Sequence, residues 1–414
     1  MEENKNINMN TNFGIKLENL PNARAGHPYR TLISGEYYPF NPLAVCWFDG
    51  LEKTGLHFFP DKKQITGVPR NSGSFDVQFN IRKYNEDGME EVSTQTLKLV
   101  VEEDYNIKLE EVDENDPYWK LDEEVRTVPV NTDSKKKLKK DIAAASRRGY
   151  HQFSEGKIRE DDFYIHYDPK TRWYALAVAD GSGKSEYSRK GSKIACHSAV
   201  ESCLRQLTKQ ARGLKKLTIR YTWRKSNRIR REILKRLHSI IASSVTKAYN
   251  DIVAEATEWK RLPDDYATTL LMCICKKFEF GWLVGTFGAG DGAVCVYRKD
   301  KWYANLMRGD ECASEKCYLT TPGIILPPAL NRRIRFTIVN DFSALFLMTN
   351  GVSDPKFESE ADLPCFELWD RFWEDLSTQV NFSDKLNDTG ENLLKWLDFW
   401  TAGKNDDRTI AMVF

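Results

Sequence analysis

No apolar run in this 414-residue chain approaches the ~20 residues needed to cross a bilayer. The opening residues, MEENKNINMNTN, hold no apolar stretch either, so neither a membrane span nor a secretory signal is expected. Paired-cysteine motifs are also missing. Nine cysteines are present, none spaced as CxxC, and several, such as Cys273 and Cys275, sit inside apolar runs. That usage fits buried free thiols in a reducing cytosol, and a cytoplasmic location is expected. An excess of one charge sign is the third absence. Lysine plus arginine total 61 against 60 aspartates and glutamates, a net charge of +1. This balance excludes a uniformly basic nucleic-acid binder and an acidic disordered chain. What remains is 41% hydrophobic and 12% aromatic residues, enough for sizeable cores, with 29% charged residues and a mean hydropathy of −0.56, the composition of a soluble chain. The length suits two or three domains.

The balanced total hides local extremes. Residues 102–124 carry 11 acidic residues against Lys108 and Lys120, and residues 135–148 carry seven basic residues against Asp141. Pro117 lies within the first stretch and Pro129 between the two, with little apolar periodicity, so a linker is expected over 105–140. Before it, VCWF, FDVQFNI and TLKLVV read as strands punctuated by NARAGHP, PRNSGS and NEDG, which suits a small all-β sandwich. Leu20-Pro21-Asn22, Ala25-Gly26-His27-Pro28-Tyr29, Gly50-Leu51, Thr54-Gly55-Leu56, Ile65-Thr66-Gly67-Val68-Pro69 and Ser72-Gly73-Ser74-Phe75 follow one pattern. The pattern resembles the immunoglobulin-like modules of bacterial proteins, which bind partners or act as spacers. It covers about 85 residues and has no second copy.

After the linker, strand and helix patterns alternate. YALAVAD (174–180) reads as a buried strand, followed by a helix with Ile194, Ala195, Ala199, Cys203 and Leu207 on one face. TTLLMCIC, FGWLVGTFG, GAVCVYR, RFTIV and ALFLMTNG are further strands, FELWDRFWEDL and ENLLKWLDFW are helical, and RTIAMVF closes the chain. Mixed antiparallel strands and long helices make an α+β fold.

Acidic residues stand at the ends of these strands: Glu160-Asp161-Asp162 before FYIHY, Asp180 after YALAVA, Asp291 after VGTFGAG, and Asp406-Asp407 before RTIAMVF. Asn350-Gly351, with Asp354 close by, ends a fifth strand. Each alone is an ordinary strand flank. Together they can form an oxygen-rich site for a hard cation such as magnesium or manganese.

Their order resembles the metal-dependent serine/threonine phosphatases of type 2C, in which "ED", "DG.G", "GTTA", "GDSR", "DG…D" and "DN.T" follow one another. The counterparts are Glu160-Asp161, Asp180-Gly181-Ser182-Gly183, Ala267-Thr268-Thr269-Leu270, Gly290-Asp291-Gly292-Ala293, Asn350-Gly351 with Asp354, and Asp406-Asp407-Arg408-Thr409. Ser188-Arg189-Lys190-Gly191-Ser192 also resembles bacterial members. The resemblance implies a β-sandwich flanked by helices on both sides over 141–414, after a tail (1–17), the immunoglobulin-like module (18–104) and the linker (105–140). It implies two Mn2+ or Mg2+ ions, with Asp180 bridging, the Gly181 carbonyl on one ion, Asp161 and Glu160 on the second, and Asp406 with residue 350 completing the first. Asp291 matches the ligand of a third, looser ion. The implied reaction is attack on phosphorus by metal-activated water, with no protein nucleophile. The implied substrate is a phosphorylated protein, with a cognate kinase or its target as the natural candidate.

Three departures from the family pattern stand out. Asn350 replaces an aspartate, which removes a negative charge from one ion's ligands. The chain is therefore a weakened phosphatase, a phosphatase carrying one inactivating substitution, or a phosphoprotein-binding scaffold. Gly290-Asp291-Gly292-Ala293 replaces GDSR, and the GG after the DG turn is missing. The phosphate-binding arginine has three candidates, Arg147, Arg148 and Arg159, with His151 a candidate proton donor.

Residues 205–236 are the most basic stretch, with 13 lysines and arginines against Glu232. Ile229, Ile233, Leu234 and Leu237 recur at helical spacing, so part of it is an amphipathic helix. It reads as a solvated face paired with the acidic linker, a docking surface for an acidic or phosphorylated partner, or, least expected, a nucleic-acid contact through Tyr221 and Trp223.

Overall fold

The structure is a computed structural model that describes residues 20–33, 45–84, 90–102, 118–130, 140–299, 302–307, 317–321, 323–357, 362–382, 388–399, 401 and 404–414. Residues 1–17, the NEDG turn and most of the acidic and basic stretches flanking Pro129 lie outside these. Apart from the stretch 400–403, the chain divides into one compact unit ending at Asn106 and a second beginning at Ile107.

The first unit is all β. Its strands are β1 (Ala23–Arg24), β2 (Tyr29–Leu32), β3 (Val45–Asp49), β4 (Leu56–Phe59), β5 (Gln64–Gly67), β6 (Gly73–Tyr84) and β7 (Glu90–Glu102). They form a four-stranded sheet, β1-β7-β6-β3, and a three-stranded sheet, β2-β5-β4. Alternate residues of β6 and β7 (Val77, Phe79, Ile81; Leu97, Leu99, Val101) face one core shared with Tyr29, Leu56 and Ile65. At Gly67, with φ +152°, a Cβ would lie 2.3 Å from the Gly55 carbonyl oxygen, so only glycine lets β4 and β5 close there.

The second unit contains β8 (Glu123–Val128), β9 (Ile142–Arg147), α1 (Tyr150–Ser154), β10 (Asp162–Asp168), β11 (Trp173–Ala179), α2 (Ser188–Arg224), α3 (Asn227–Glu258), β12 (Leu270–Phe278), β13 (Gly281–Ala289), β14 (Ala293–Arg298) and β15 (Trp302–Asn305). It continues through α4 (Pro327–Arg333), β16 (Ile334–Val339), β17 (Ala344–Met348), α5 (Asn350–Phe357), α6 (Phe366–Gln379), α7 (Thr389–Trp396) and β18 (Arg408–Val413). Two antiparallel sheets result, β10-β11-β12-β13-β16 and β15-β14-β17-β18-β9-β8.

Helices cover both outer faces, and strand alternation shows why. In β11, Tyr174, Leu176 and Val178 point into the core between the sheets, while Ala175, Ala177 and Ala179 meet Ala195, Ala199 and Cys203 of α2. Alanine on that face lets the helix approach closely. In β17, Leu345 and Leu347 point inward, while Phe346 and Met348 pack under Trp369 and Phe372 of α6. Strands covered on both faces read as unbroken apolar runs, which is how they stood in the sequence.

Three readings change. Part of the expected linker is structured, because β8 pairs along its length with β9 from Glu123↔Arg147 to Val128↔Ile142. Its burial is slight, so its sequence carries no apolar signal. Seven of the described cysteines are free and mostly buried as expected, but Cys317 is disulfide-bonded, which corrects the expectation of free thiols there. The single basic amphipathic stretch becomes two helices broken at Lys225, whose φ of 48° ends α2 in the left-handed region. No described helix is long and apolar enough to cross a membrane.

Trp369 is fully buried against Phe346, Phe357 and Phe372, and its Nε1 donates to the Leu363 carbonyl at 2.8 Å. Trp369→Ala should cost about 3–5 kcal/mol in urea denaturation. Trp223, 82% exposed, should be replaceable by alanine within about 0.5 kcal/mol. Equal loss at both positions would contradict this packing.

Candidate metal centre

Antiparallel register collects the acidic strand ends at one end of the sandwich. Asp162 lies opposite Ala179, which sets Asp161 level with Asp180. Gly181 bridges Thr268, and Leu270 lies opposite Ala289, so the β13 end that leads to Asp291 stands alongside. In the other sheet, Arg408 lies opposite Arg147 and Met348 opposite both Ala293 and Ile410. The ends of β9 and β17 and the starts of β14 and β18 therefore share that edge, and the turn at 290–292 carries the chain between the sheets there.

Two glycines let the 405–407 segment sit close among its neighbours. A Cβ on Gly149 would lie 2.3 Å from the Asp406 carbonyl carbon, and one on Gly351 would lie 1.9 Å from the Asp407 carbonyl oxygen. Asp407 Oδ1 accepts from the Gly149 N–H at 2.5 Å, and its Oδ2 accepts from the Glu160 and Asp161 N–H groups at 2.5 and 3.2 Å. Asp407 was visible in the sequence only as a neighbour of Asp406, yet it fastens the acidic segments to one another.

Glu160 accepts from Ser188 Oγ at 2.7 Å, and burial followed by the nearby Asp406 pushes its carboxyl up. Asp161 is fully buried. Its Oδ2 accepts from Thr349 Oγ1 at 2.8 Å, and burial, with the charges of Asp407 and Asp406, raises it well above the usual carboxylate range. Asp406 Oδ1 accepts from Gln152 Nε2 at 2.6 Å. Asp180 is held through its backbone, its N–H donating to Thr269 Oγ1 and its carbonyl accepting from Thr268 Oγ1 and the Thr269 N–H. Asn350 starts α5 directly after Thr349, and Asp291 lies beside Gly292, whose Cβ position is 3.4 Å from Thr349 Cα.

Buried oxygens at this end point to a cation. Asp161 Oδ1, Asn350 Oδ1, Gln152 Oε1 and Asn405 Oδ1 are buried acceptors that meet no donor. Such groups are costly unless something electropositive reaches them. An all-oxygen donor set suits a hard divalent cation that retains water. Among the described residues no group of three or more His, Cys, Asp or Glu side chains could hold a metal ion. The oxygens gathered at this end are thus carboxylates together with amide and carbonyl groups, and Asn350 contributes an amide oxygen.

The cationic candidates are placed differently. Arg159 has no solvent exposure; its Nε donates to Leu121 O, Nη1 to Ser146 Oγ and Asp161 O, and Nη2 to Glu124 Oε2. Arg148 is buried over the Phe153 ring and donates to Asp122 Oδ1 and the Gln152 carbonyl. Arg147 pairs with Glu123 and Asp398. The His151 side chain is 60% exposed, its Nε2 lies 3.4 Å from Glu155, and its backbone N–H donates to Asn405 O.

Sequence reasoning missed Lys120. Buried, it donates to the Asp161 carbonyl and Ser192 Oγ at 3.0 Å and pairs with Asp162 Oδ2 at 2.8 Å. Burial would raise the Asp162 carboxyl, but Lys120 and Arg159 outweigh it and hold it below its ordinary value. One of two lysines in an acidic stretch, Lys120 gave no other signal. Lys120→Met should cost about 3–5 kcal/mol, because it strands a buried carboxylate. The pair Lys120→Met/Asp162→Asn should recover most of that loss in a urea double-mutant cycle. No recovery would mean that Lys120 acts through packing rather than charge.

Residues 148–398 match the family model described as Protein phosphatase 2C. No curated protein matches the chain. Among solved structures, the chain is similar to a bacterial serine phosphatase (12% identity, TM-score 0.39, 66% of this chain and 96% of that one). It is also similar to the catalytic domain of the serine threonine protein phosphatase PstP in complex with two manganese ions (16%, 0.36, 66% and 96%). A third is the serine/threonine phosphatase Stp1 from Staphylococcus aureus (13%, 0.38, 66% and 93%). At these scores the family assignment rests on the sequence match, which spans more than half of the chain. The chain belongs to the protein phosphatase 2C family.

Proposed function

We propose that the second unit hydrolyses phosphoserine and phosphothreonine on proteins, with activity weakened by Asn350. The observation that carries this reading is the pair of buried acceptors, Asp161 Oδ1 and Asn350 Oδ1, meeting no donor where the acidic strand ends gather. Glu160, Asp161, Asp180, the Gly181 carbonyl, Asp406 and the Asn350 amide oxygen would hold two divalent cations of the manganese or magnesium kind, with Asp291 toward a third. Such cations supply Lewis-acid activation of water and offset charge on the phosphoryl oxygens.

The chain's own residues hold this arrangement. Thr349 orients Asp161, Gln152 orients Asp406, and Ser188 orients Glu160. Because the forks of Arg148 and Arg159 end on partners within the protein, both are proposed to position the Gln152 and Asp161 segments rather than bind phosphate. His151, exposed and tethered to Asn405, is the proposed proton donor to the leaving oxygen. The first unit is proposed as an immunoglobulin-like module that recruits or positions a partner; its two sheets around one core support this.

The second reading, a phosphoprotein-binding scaffold, draws on the shortage of carboxylates. Asn350→Asp separates the two. It should raise manganese-dependent hydrolysis of para-nitrophenyl phosphate by about tenfold or more, as changes at ligand positions typically do. Adding Asp161→Asn to that variant should remove the gain. No gain at saturating manganese would leave the scaffold.

A further inference from the structure

The solvent face of α2 carries one continuous line of cations. Arg205, Lys209, Arg212, Lys216 and Arg220 recur every three or four residues and are all exposed, so they lie on one helical stripe. Ile219, 48% exposed, and Trp223 share its far end. The opposite face, with Cys203, Leu207, Leu214 and Thr218, is the buried one. α3 adds exposed Arg228, Arg231 and Lys235 within its first three turns.

Acids are scarce here. Glu201 lies 3.9 Å from Arg205 and Glu232 pairs with Arg236, but among the described residues Lys209, Arg212, Lys216 and Arg220 have no ion pair. Like charges at i,i+4 each cost a helix about 0.2–0.5 kcal/mol. A helix held by its opposite face gains nothing structural from such a row.

We propose that this stripe docks a short acidic polypeptide segment of a partner protein, with an apolar side chain seated against Ile219 and Trp223. The stripe runs about 27 Å at 1.5 Å per residue, which an extended segment of about eight residues would match. The favourable field is local. Residues 205–236 are strongly basic, yet the whole chain carries only +1, so the remainder is net negative. A short acidic segment meets only the stripe, whereas a long nucleic acid or an anionic bilayer would also face the repelling remainder. Arg205 stands 17 residues after Ser188, the α2 residue bonded to Glu160, or about 26 Å along the helix. Docking is therefore remote from the metal centre and stands whether or not that centre turns over.

The test is fluorescence anisotropy on the full chain with a fluorescein-labelled peptide of eight glutamates followed by two leucines. Its all-glutamine counterpart, a 20-base-pair DNA duplex and phosphatidylserine vesicles serve as comparison probes. The glutamate peptide should bind, and weaken about tenfold between low and 0.3 M salt. Reversal of Lys209, Arg212, Lys216 and Arg220 to glutamate should weaken it about tenfold or more, with an unchanged melting temperature. Trp223→Ala should weaken it several-fold. Should the fourfold variant not fold, Arg212→Glu and Lys216→Glu singly should each show a smaller loss. Equal binding of the glutamine peptide, indifference to charge reversal, or tighter binding of the duplex or vesicles would overturn the proposal.

Discussion

The Asp407 carboxylate is the fastening on which the candidate site depends. Its two oxygens accept three backbone N–H groups, from Gly149 after β9 and from Glu160 and Asp161 before β10. It therefore ties the start of β18 to strand ends in both sheets. Sandwich packing alone brings two sheets face to face without fixing the register of their ends. A carboxylate aimed at three N–H donors does fix it, and charge-assisted bonds of this kind are about twice as strong as neutral ones. The absence of Cβ atoms at Gly149 and Gly351 makes room for the segment that carries it.

That fastening has an electrostatic consequence. It gathers Glu160, Asp161, Asp406 and Asp407 into one partly dry volume, where burial and mutual repulsion push Asp161 well up and Asp407 to about 7. The surrounding donors answer only part of this. Thr349, Gln152 and Ser188 each satisfy one oxygen, and Lys120 and Arg159 sit behind the strand, on the Asp161 carbonyl and Asp162. Positive charge is thus built into the back of the cluster, while toward Glu160 the charge of the Lys157 ammonium also acts.

Legibility in the sequence followed the same division. Strands covered on both faces, such as YALAVA and ALFLM, announced themselves as apolar runs, and register brings the acids that follow or precede them to one edge. The burial and internal partners of Arg159 and Lys120 were not readable. A buried guanidinium that donates to carbonyls looks, in one dimension, like a phosphate-binding arginine, and a buried lysine in an acidic run looks solvated. Strand β8 was hidden for the opposite reason, since a lightly buried edge strand has no apolar alternation to display. The break of the basic hairpin at Lys225 was hidden too, because no glycine or proline marks it.

Position 350 separates two properties that a ligand aspartate would combine, shape and charge. The asparagine side chain has the outline of aspartate, and its Oδ1 is buried without a donor. In a cation-free protein a fifth carboxylate would add repulsion to four acids already crowded together. In the loaded protein proposed above, the same charge would strengthen the hold on the ions. Asparagine therefore favours the empty state relative to the loaded one. Under that proposal, stability of the bare fold and affinity for cations would pull in opposite directions at this residue, and asparagine would favour the bare fold.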